Sequence, residues 1–162
     1  MAKKITPPVV DVFRDTSVSP RKFLKLSLPV PPSVNALHYN TRGGGRRLTA
    51  KAQNYTRDSR ALIHAYVEKQ RWAIPEKRVW LYVDMVFYFP DRRIRDASNC
   101  LKLLLDVMEG IVYHNDYIAL PRIQSVEYDK LNPRVEVCIS SQNDLARTKG
   151  LKTARTDVQP AL

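Results

Sequence analysis

The stretch VWLYVDMVFYFPDRRIRDASNCLKLLLDVMEG, residues 79–110, decides the fold because its hydrophobic period changes at Pro90. Before the proline, apolar and other side chains alternate, which predicts a long strand over residues 79–89. One side of this strand carries Val79, Leu81, Val83, Met85, Phe87 and Phe89. The other side carries Trp80, Tyr82, Asp84, Val86 and Tyr88. The mixed character of this second side predicts a surface that faces solvent or a partner.

After the proline, apolar residues recur at helical spacing, and Gly110 gives a C-cap signal, so residues 97–109 are predicted to form a helix. Its apolar face consists of Leu101, Leu104, Leu105 and Met108. Upstream, Thr49 is a plausible N-cap for a longer helix over residues 50–70. The apolar stripe of that helix consists of Ala52, Tyr55, Leu62, Ile63, Tyr66 and Val67.

Three shorter strands complete the prediction, over residues 23–28, 123–128 and 134–139, with Asn132-Pro133 as a hairpin turn between the last two. The fold class is therefore α/β (α+β), a small mixed sheet in β-α-β-α-β-β order with two helices. The polar, glycine-rich loop SVNALHYNTRGGGRRL, residues 33–48, is predicted to be mobile and cationic.

The 162 residues suit one domain, predicted at 22–140, between flexible arms at 1–21 and 141–162. A formal charge of +11 favours a polyanionic partner, usually nucleic acid and less often an anionic membrane. We expect a cytoplasmic protein, because no signal peptide or membrane span is evident. Cys100 and Cys138 lack zinc-site spacing and are predicted to be buried reduced thiols.

The segment PDRRIRDASNCLK, residues 90–102, is the strongest candidate for chemistry. Its arginines and Asp96 have an ordinary explanation as a solvated basic turn and a helix N-cap. They are also what phosphodiester cleavage requires, since a carboxylate can hold a divalent cation while basic groups hold phosphates. A second acidic spot is His114-Asn-Asp116, where His114 is either a general base or an exposed loop histidine.

Several of these motifs together resemble the RusA family of Holliday junction resolvases, over residues 23–139. The family motif is Asp, any residue, Asp, Asn, and then Lys four residues after the second Asp. Here it is Asp96, Ser98, Asn99 and Lys102. The later acidic pair of the family corresponds to Asn115-Asp116, which follows GIVYH.

The resemblance implies a Mg²⁺-dependent homodimer, with Mn²⁺ as a possible substitute, that cuts two opposed strands of a four-way or branched DNA junction. It implies metal ligation by Asp96 and Asp116, charge stabilisation by Lys102, and orientation of the site by Asn99. It also implies a bacterial or phage source, often a prophage. The basic residues expected to contact DNA are Arg46, Arg47, Lys51, Arg57, Arg60, Arg92, Arg93 and Arg95.

The chain departs from the family pattern at two acidic positions, which here are Ser98 and Asn115. Each is a weaker metal ligand than a carboxylate. Glu127 is a candidate third carboxylate, against an ordinary role as an exposed strand residue. Two alternatives therefore remain open: a junction-binding protein that does not cut, and a basic nucleic-acid-binding regulator unrelated to junctions.

Overall fold

The computed structural model describes residues 23–141 and contains an α+β fold with a small mixed sheet and two helices, as predicted. The strands are β1 (Leu24–Leu28), β2 (His38–Asn40), β3 (Arg46–Leu48), β4 (Leu81–Phe89), β5 (Ala119–Tyr128) and β6 (Arg134–Ser141). The helices are α1 (Ala50–Gln70) and α2 (Leu101–Met108), with short 3₁₀ turns at Val34–Ala36, Ala97–Cys100 and Asp116–Ile118. Apart from Ser141, which ends β6, the predicted terminal arms lie outside the described residues.

The main sheet has the strand order β1-β6-β4-β5, in which β6 is antiparallel to both of its neighbours and β5 is parallel to β4. The predicted hairpin between β5 and β6 is therefore wrong. The segment that contains α2 returns the chain to the start of β4, so β5 runs parallel along one edge of β4. The chain then crosses the end of β4, where Asp129 donates its amide to the Phe89 carbonyl at 2.8 Å, and β6 occupies the other edge.

Residues 38–48 form a second, two-stranded sheet rather than the predicted irregular loop. His38 pairs with Leu48 and Asn40 pairs with Arg46, and all six strand residues are exposed. Gly44 and Gly45 have φ values of 78° and 105°, which a side chain would strain, so the glycines allow the tight turn. Hydrophobic alternation could not predict this hairpin because neither of its faces is buried.

Helix α1 has its predicted bounds, and the Thr49 hydroxyl accepts a hydrogen bond from the Ala52 amide at 3.3 Å, which confirms the N-cap. The predicted apolar stripe is wrong at Leu62, which is 41 % exposed. The buried row instead passes through Ser59, whose polar side chain hid it from the hydrophobic pattern. The buried residues of this helix are Ala52, Tyr55, Ser59 and Ile63.

Helix α2 begins later than predicted, because residues 97–100 form a 3₁₀ turn, and it ends at Met108 before Gly110, whose φ is 78°. Leu101 and Leu105 are only half-buried. The buried side chains of α2 are Leu103, Leu104, Val107 and Met108. The helix therefore packs on the sheet with a face rotated slightly from the predicted one.

The helix-covered side of the sheet is the core, and the alternation predicted for β4 is confirmed there from Leu81 onward. The fully buried residues of that side of β4 are Leu81, Val83, Met85, Phe87 and Phe89. The strand starts two residues later than predicted, and Val86, predicted on the mixed side, is buried as well.

On the other side of the sheet, the Arg122 guanidinium lies 3.9 Å from the Tyr82 ring centre, and that of Arg134 lies 3.8 Å from Tyr88. Arg122 also pairs with Asp84 at 2.6 Å. The arginines on this side of the sheet are therefore held by tyrosine rings, and Arg122 is held by a carboxylate as well.

Both cysteines are buried thiols without a disulfide, as predicted. Within residues 23–141, none of the helices combines the length and the apolar character needed to span a bilayer.

Candidate active site

The turn of residues 90–96, called here the arginine turn, is organised by Asp91. Arg95 grips the Asp91 carboxylate with two hydrogen bonds of 2.7 and 2.9 Å, and the Arg93 amide adds a third at 3.0 Å. The hydrogen bond from Arg95, and then that from the Arg93 amide, lower the pKa of Asp91 to about 2. The sequence reasoning assigned Asp91 no role, although its spacing of four residues from Arg95 is a signal for such a pair.

Asp96 follows the arginine turn and caps the 3₁₀ turn that leads into α2. Its Oδ1 accepts hydrogen bonds from the Ser98 amide at 2.9 Å and from the Ser98 hydroxyl at 2.6 Å. Its Oδ2 accepts none from the described part of the chain, and the residue is exposed. One oxygen of Asp96 is therefore fixed by Ser98, while the other is available to a cation or a substrate.

Asp96 lines a cleft of about 440 Å³, within the size range of small-ligand sites. The apolar lining consists of Val30, Pro31, Pro32, Phe89, Pro90, Cys100 and Pro133. The polar lining consists of Ser33, Lys51, Arg95, Asp96 and Asn99. The Cys100 thiol donates to the Pro31 carbonyl at 3.4 Å, and burial raises its pKa, so it acts as a packing group rather than a nucleophile.

Asp116 begins a separate 3₁₀ turn, just before β5. Asn115 caps this turn by accepting the Tyr117 amide at 3.1 Å, and its amide nitrogen lies 3.4 Å from a Glu109 carboxylate oxygen. His114 is exposed and borders a second cleft, of about 420 Å³. The lining of this cleft is Lys77, His114, Asn115, Tyr117 and Ile118. Asn115 thus stabilises the 3₁₀ turn that begins at Asp116.

The structure does not bring Asp96 and Asp116 together within one copy of the chain. Asp96 follows the carboxyl end of β4, whereas Asp116 precedes β5, whose first residue pairs with Leu81 at the amino end of β4. A strand of nine residues separates these ends, and it spans on the order of 25 Å. Among the described residues, no group of three or more His, Cys, Asp or Glu side chains could hold a metal ion.

Of the other predicted site residues, only some lie beside Asp96. Asn99 lines the Asp96 cleft, but Lys102 does not, and its ammonium lies 3.3 Å from the Asp106 carboxylate. Glu127 pairs with Tyr88 on the side of the sheet away from the helices and accepts a hydrogen bond from Ser125. Glu127 is therefore not placed to supply a third carboxylate beside Asp96 in the same copy.

Most of the predicted DNA-contacting residues are exposed, namely Arg46, Arg47, Lys51, Arg57, Arg92, Arg93 and Arg95. Three of them are already engaged in ion pairs, Arg57 with Asp58 at 2.9 Å, and Arg95 and Arg93 with Asp91 at 2.7 and 3.8 Å. Arg60 is half-buried and donates to the carbonyls of Val107 and Glu109 at 3.3 and 3.0 Å. It joins α1 to the end of α2, so we do not retain it as a phosphate contact.

Over residues 29–140 the chain matches the model of a family of endodeoxyribonucleases, enzymes that hydrolyse phosphodiester bonds within DNA. That family is endodeoxyribonuclease RusA, and the chain belongs to it. The resemblance inferred from the motifs around Asp96 and Asp116 is thereby confirmed at the level of the family. A comparison with curated proteins found no match.

Proposed function

We propose that this RusA-family endodeoxyribonuclease resolves four-way DNA junctions as a Mg²⁺-dependent homodimer, by paired incisions that leave 5′-phosphate and 3′-hydroxyl ends. The observation that carries the proposal is the position of Asp96. Its available carboxylate oxygen borders a cleft, immediately after a basic turn that can hold phosphates. Membership of the family supports DNA cleavage as the reaction.

The chemistry of the donor set at Asp96 fits Mg²⁺. The polar side chains of the cleft that can act as ligands offer oxygens, from the Asp96 carboxylate, the Asn99 amide and the Ser33 hydroxyl. Mg²⁺ prefers oxygen ligands and commonly uses only one or two carboxylates together with water and substrate phosphates. When bound, Mg²⁺ supplies a Lewis acid that neutralises phosphate charge and lowers the pKa of water.

The remaining roles belong to side chains of the chain itself. Arg92 and Arg93 are exposed on the arginine turn and bind the phosphates that flank the scissile bond. Lys51, on the first turn of α1, lines the same cleft and contacts the DNA strand that carries the scissile bond. Lys102 leaves its exposed ion pair with Asp106 to stabilise the charge that develops on the leaving oxygen.

A second copy of the chain completes the site in this proposal. Because Asp96 and Asp116 lie at opposite ends of β4, a cation held by both requires Asp96 from one copy and Asp116 from another. Strand β5 offers a surface for such pairing, since it is an edge strand. Ile123 and Val126, on its helix-facing side, are 38 % and 41 % exposed, because the helices leave that edge uncovered.

Mixed dimers test both the site and the pairing. Asp96→Asn and Asp116→Asn are each expected to be inactive alone, whereas mixing them after joint refolding restores nicking of a synthetic junction. A random mixture would contain intact sites at about one quarter of the wild-type number.

The control mixes each variant with the Asp96→Asn/Asp116→Asn double variant, which cannot form an intact site. A mixture that stays inactive, although light scattering shows dimers, would contradict a site shared between copies. A monomeric protein that still cuts would contradict the dimer.

One observation favours a second candidate, a branched-DNA-binding protein that does not cut. The Ser98 hydroxyl donates to Asp96 and adds no negative charge, and Asn115 is committed to capping. The discriminating measurement is incubation of a synthetic four-way junction with Mg²⁺ and either the unaltered protein or Asp96→Asn. Nicking by the first and not the second excludes the non-cutting candidate.

A further inference from the structure

Ile94 is the most exposed large apolar side chain of the described residues, at 104 % of its reference surface. It projects from the arginine turn, two residues before Asp96. Isolated exposed apolar residues are common on protein surfaces, so exposure alone assigns no role. The surroundings of this isoleucine are what distinguish it.

The turn that carries Ile94 is held on both sides. Arg95, which follows it, is fixed to Asp91 by the paired hydrogen bonds and lies 5.2 Å from the Phe89 ring centre. Arg93, which precedes it, is tied to Asp91 through its backbone amide. These contacts stabilise the turn in a conformation in which the Ile94 side chain is exposed to solvent.

The charges beside Ile94 indicate what could cover it. The side chains of Arg92 and Arg93 are exposed on the same turn. An apolar protein pocket would have to accept these guanidinium groups along with the isoleucine. Nucleic acid can contact both the arginines and the isoleucine, since phosphates pair with arginines and the faces of stacked bases accept an apolar side chain.

We propose that Ile94 is a wedge that inserts between neighbouring bases at the branch point and unstacks them next to the phosphate presented to Asp96. This inference rests on the proposed function, because it requires a DNA branch at the Asp96 cleft. A branch point has fewer stacking constraints than continuous duplex, so insertion there is less costly. Ile94 would then be a positioning residue, which sets where along the strand the scissile phosphate lies.

Leu131 provides a matched control. It is 95 % exposed and lies in the connection between β5 and β6, at the same end of β4. Its turn is closed by Asp129, which accepts the Leu131 amide at 3.1 Å and the Asn132 amide at 3.0 Å. Leu131 thus shares the exposure of Ile94 but not its adjacent arginines.

The test uses the full chain with Asp96→Asn, so that the junction stays intact, and junctions that carry 2-aminopurine at single positions around the branch. Binding is expected to raise 2-aminopurine fluorescence at one or two adjacent positions. Ile94→Ala should lose most of this rise, Ile94→Leu should keep it, and Leu131→Ala should leave it unchanged. In proteins with Asp96 restored, Ile94→Ala should shift or spread the cut position.

Each other outcome has a defined meaning. An unchanged rise with Ile94→Ala on a bound junction overturns the wedge alone, and so does an equal loss with Leu131→Ala. A change in oligomeric state with Ile94→Asp, without any fluorescence effect in Ile94→Ala, overturns the wedge and assigns Ile94 to an interface between copies. Equal affinity for the junction and for linear duplex contradicts the proposed function, and the wedge with it.

Discussion

The two ends of β4 differ in what each would contribute to the proposed active site. The Asp96 end, formed by residues 90–99, has a carboxylate with one oxygen held by Ser98 and a basic turn held by the Arg95–Asp91 hydrogen bonds. The Asp116 end, formed by residues 113–118, has a comparable cleft but no arginine among its residues. In the proposed function, the Asp96 end binds phosphate and the Asp116 end supplies a second carboxylate. That proposal requires two copies of the chain to meet.

The largest expected effect that tests the difference between the two ends of β4 is the drop in cleavage when either carboxylate is removed. We expect Asp96→Asn and Asp116→Asn each to reduce cleavage of a four-way junction at least about 100-fold, because each would remove charge from the cation site proposed above. Junction affinity, measured by fluorescence anisotropy without metal, should change little. A large loss with Asp96→Asn and none with Asp116→Asn would show that the Asp116 end takes no part in the chemistry.

The second prediction concerns the residue that fixes Asp96. Ser98→Asp adds a carboxylate beside Asp96, so we expect half-maximal cleavage at about tenfold lower Mg²⁺ concentration. Mn²⁺ binding, followed by electron paramagnetic resonance, should tighten in the same variant. Ser98→Asn is the matched control, of similar size and without charge. No tightening in Ser98→Asp would mean that position 98 does not face the cation.

These contrasts also show where sequence reasoning succeeds. The strand β4 and helix α1 were predictable because each buries apolar residues at regular spacing, although Ser59 and Leu62 break the pattern in α1. The hairpin β2–β3 buries neither face, and the position of β6 between β1 and β4 depends on tertiary pairing. The family resemblance implied that Asp96 and Asp116 hold one metal ion, but the parallel pairing of β5 with β4 places Asp116 at the other end of β4 in the same copy.

Several side-chain roles also could not be predicted from the sequence, because they depend on tertiary contacts. A charged residue looks the same in a pattern whether it binds DNA or the protein itself. Arg60 and Arg57 are both basic residues off the apolar stripe of α1, yet one caps α2 and the other is exposed beside Asp58. Only the arrangement of the two helices distinguishes them. The predicted roles of Asp96 and Lys102 remain proposals, because they depend on a metal and a substrate.

A smaller effect is expected from the basic charges of the Asp96 end. Arg92→Ala with Arg93→Ala should weaken junction binding roughly tenfold near physiological salt and reduce the slope of log affinity against log salt by about 2. Lys69→Ala, at the far end of α1, is the control, and it should change neither quantity. Equal effects from Lys69 and the arginine pair would indicate diffuse attraction rather than phosphate binding at the arginine turn.

The smallest effect on cleavage is expected from substitution of Arg60, which stabilises the fold by joining α1 to the end of α2. Arg60→Met keeps much of the aliphatic stem but removes the donor to the last carbonyls of α2, at an expected cost of about 1–2 kcal/mol in the free energy of unfolding. Those carbonyls precede the segment that carries Asp116, so hydrogen exchange should accelerate in residues 109–116 and not in 91–99. Arg57→Met, on the same helix, should change neither stability nor exchange. Acceleration at both ends of β4 would mean that Arg60 supports the whole domain and that the two ends are coupled within one copy.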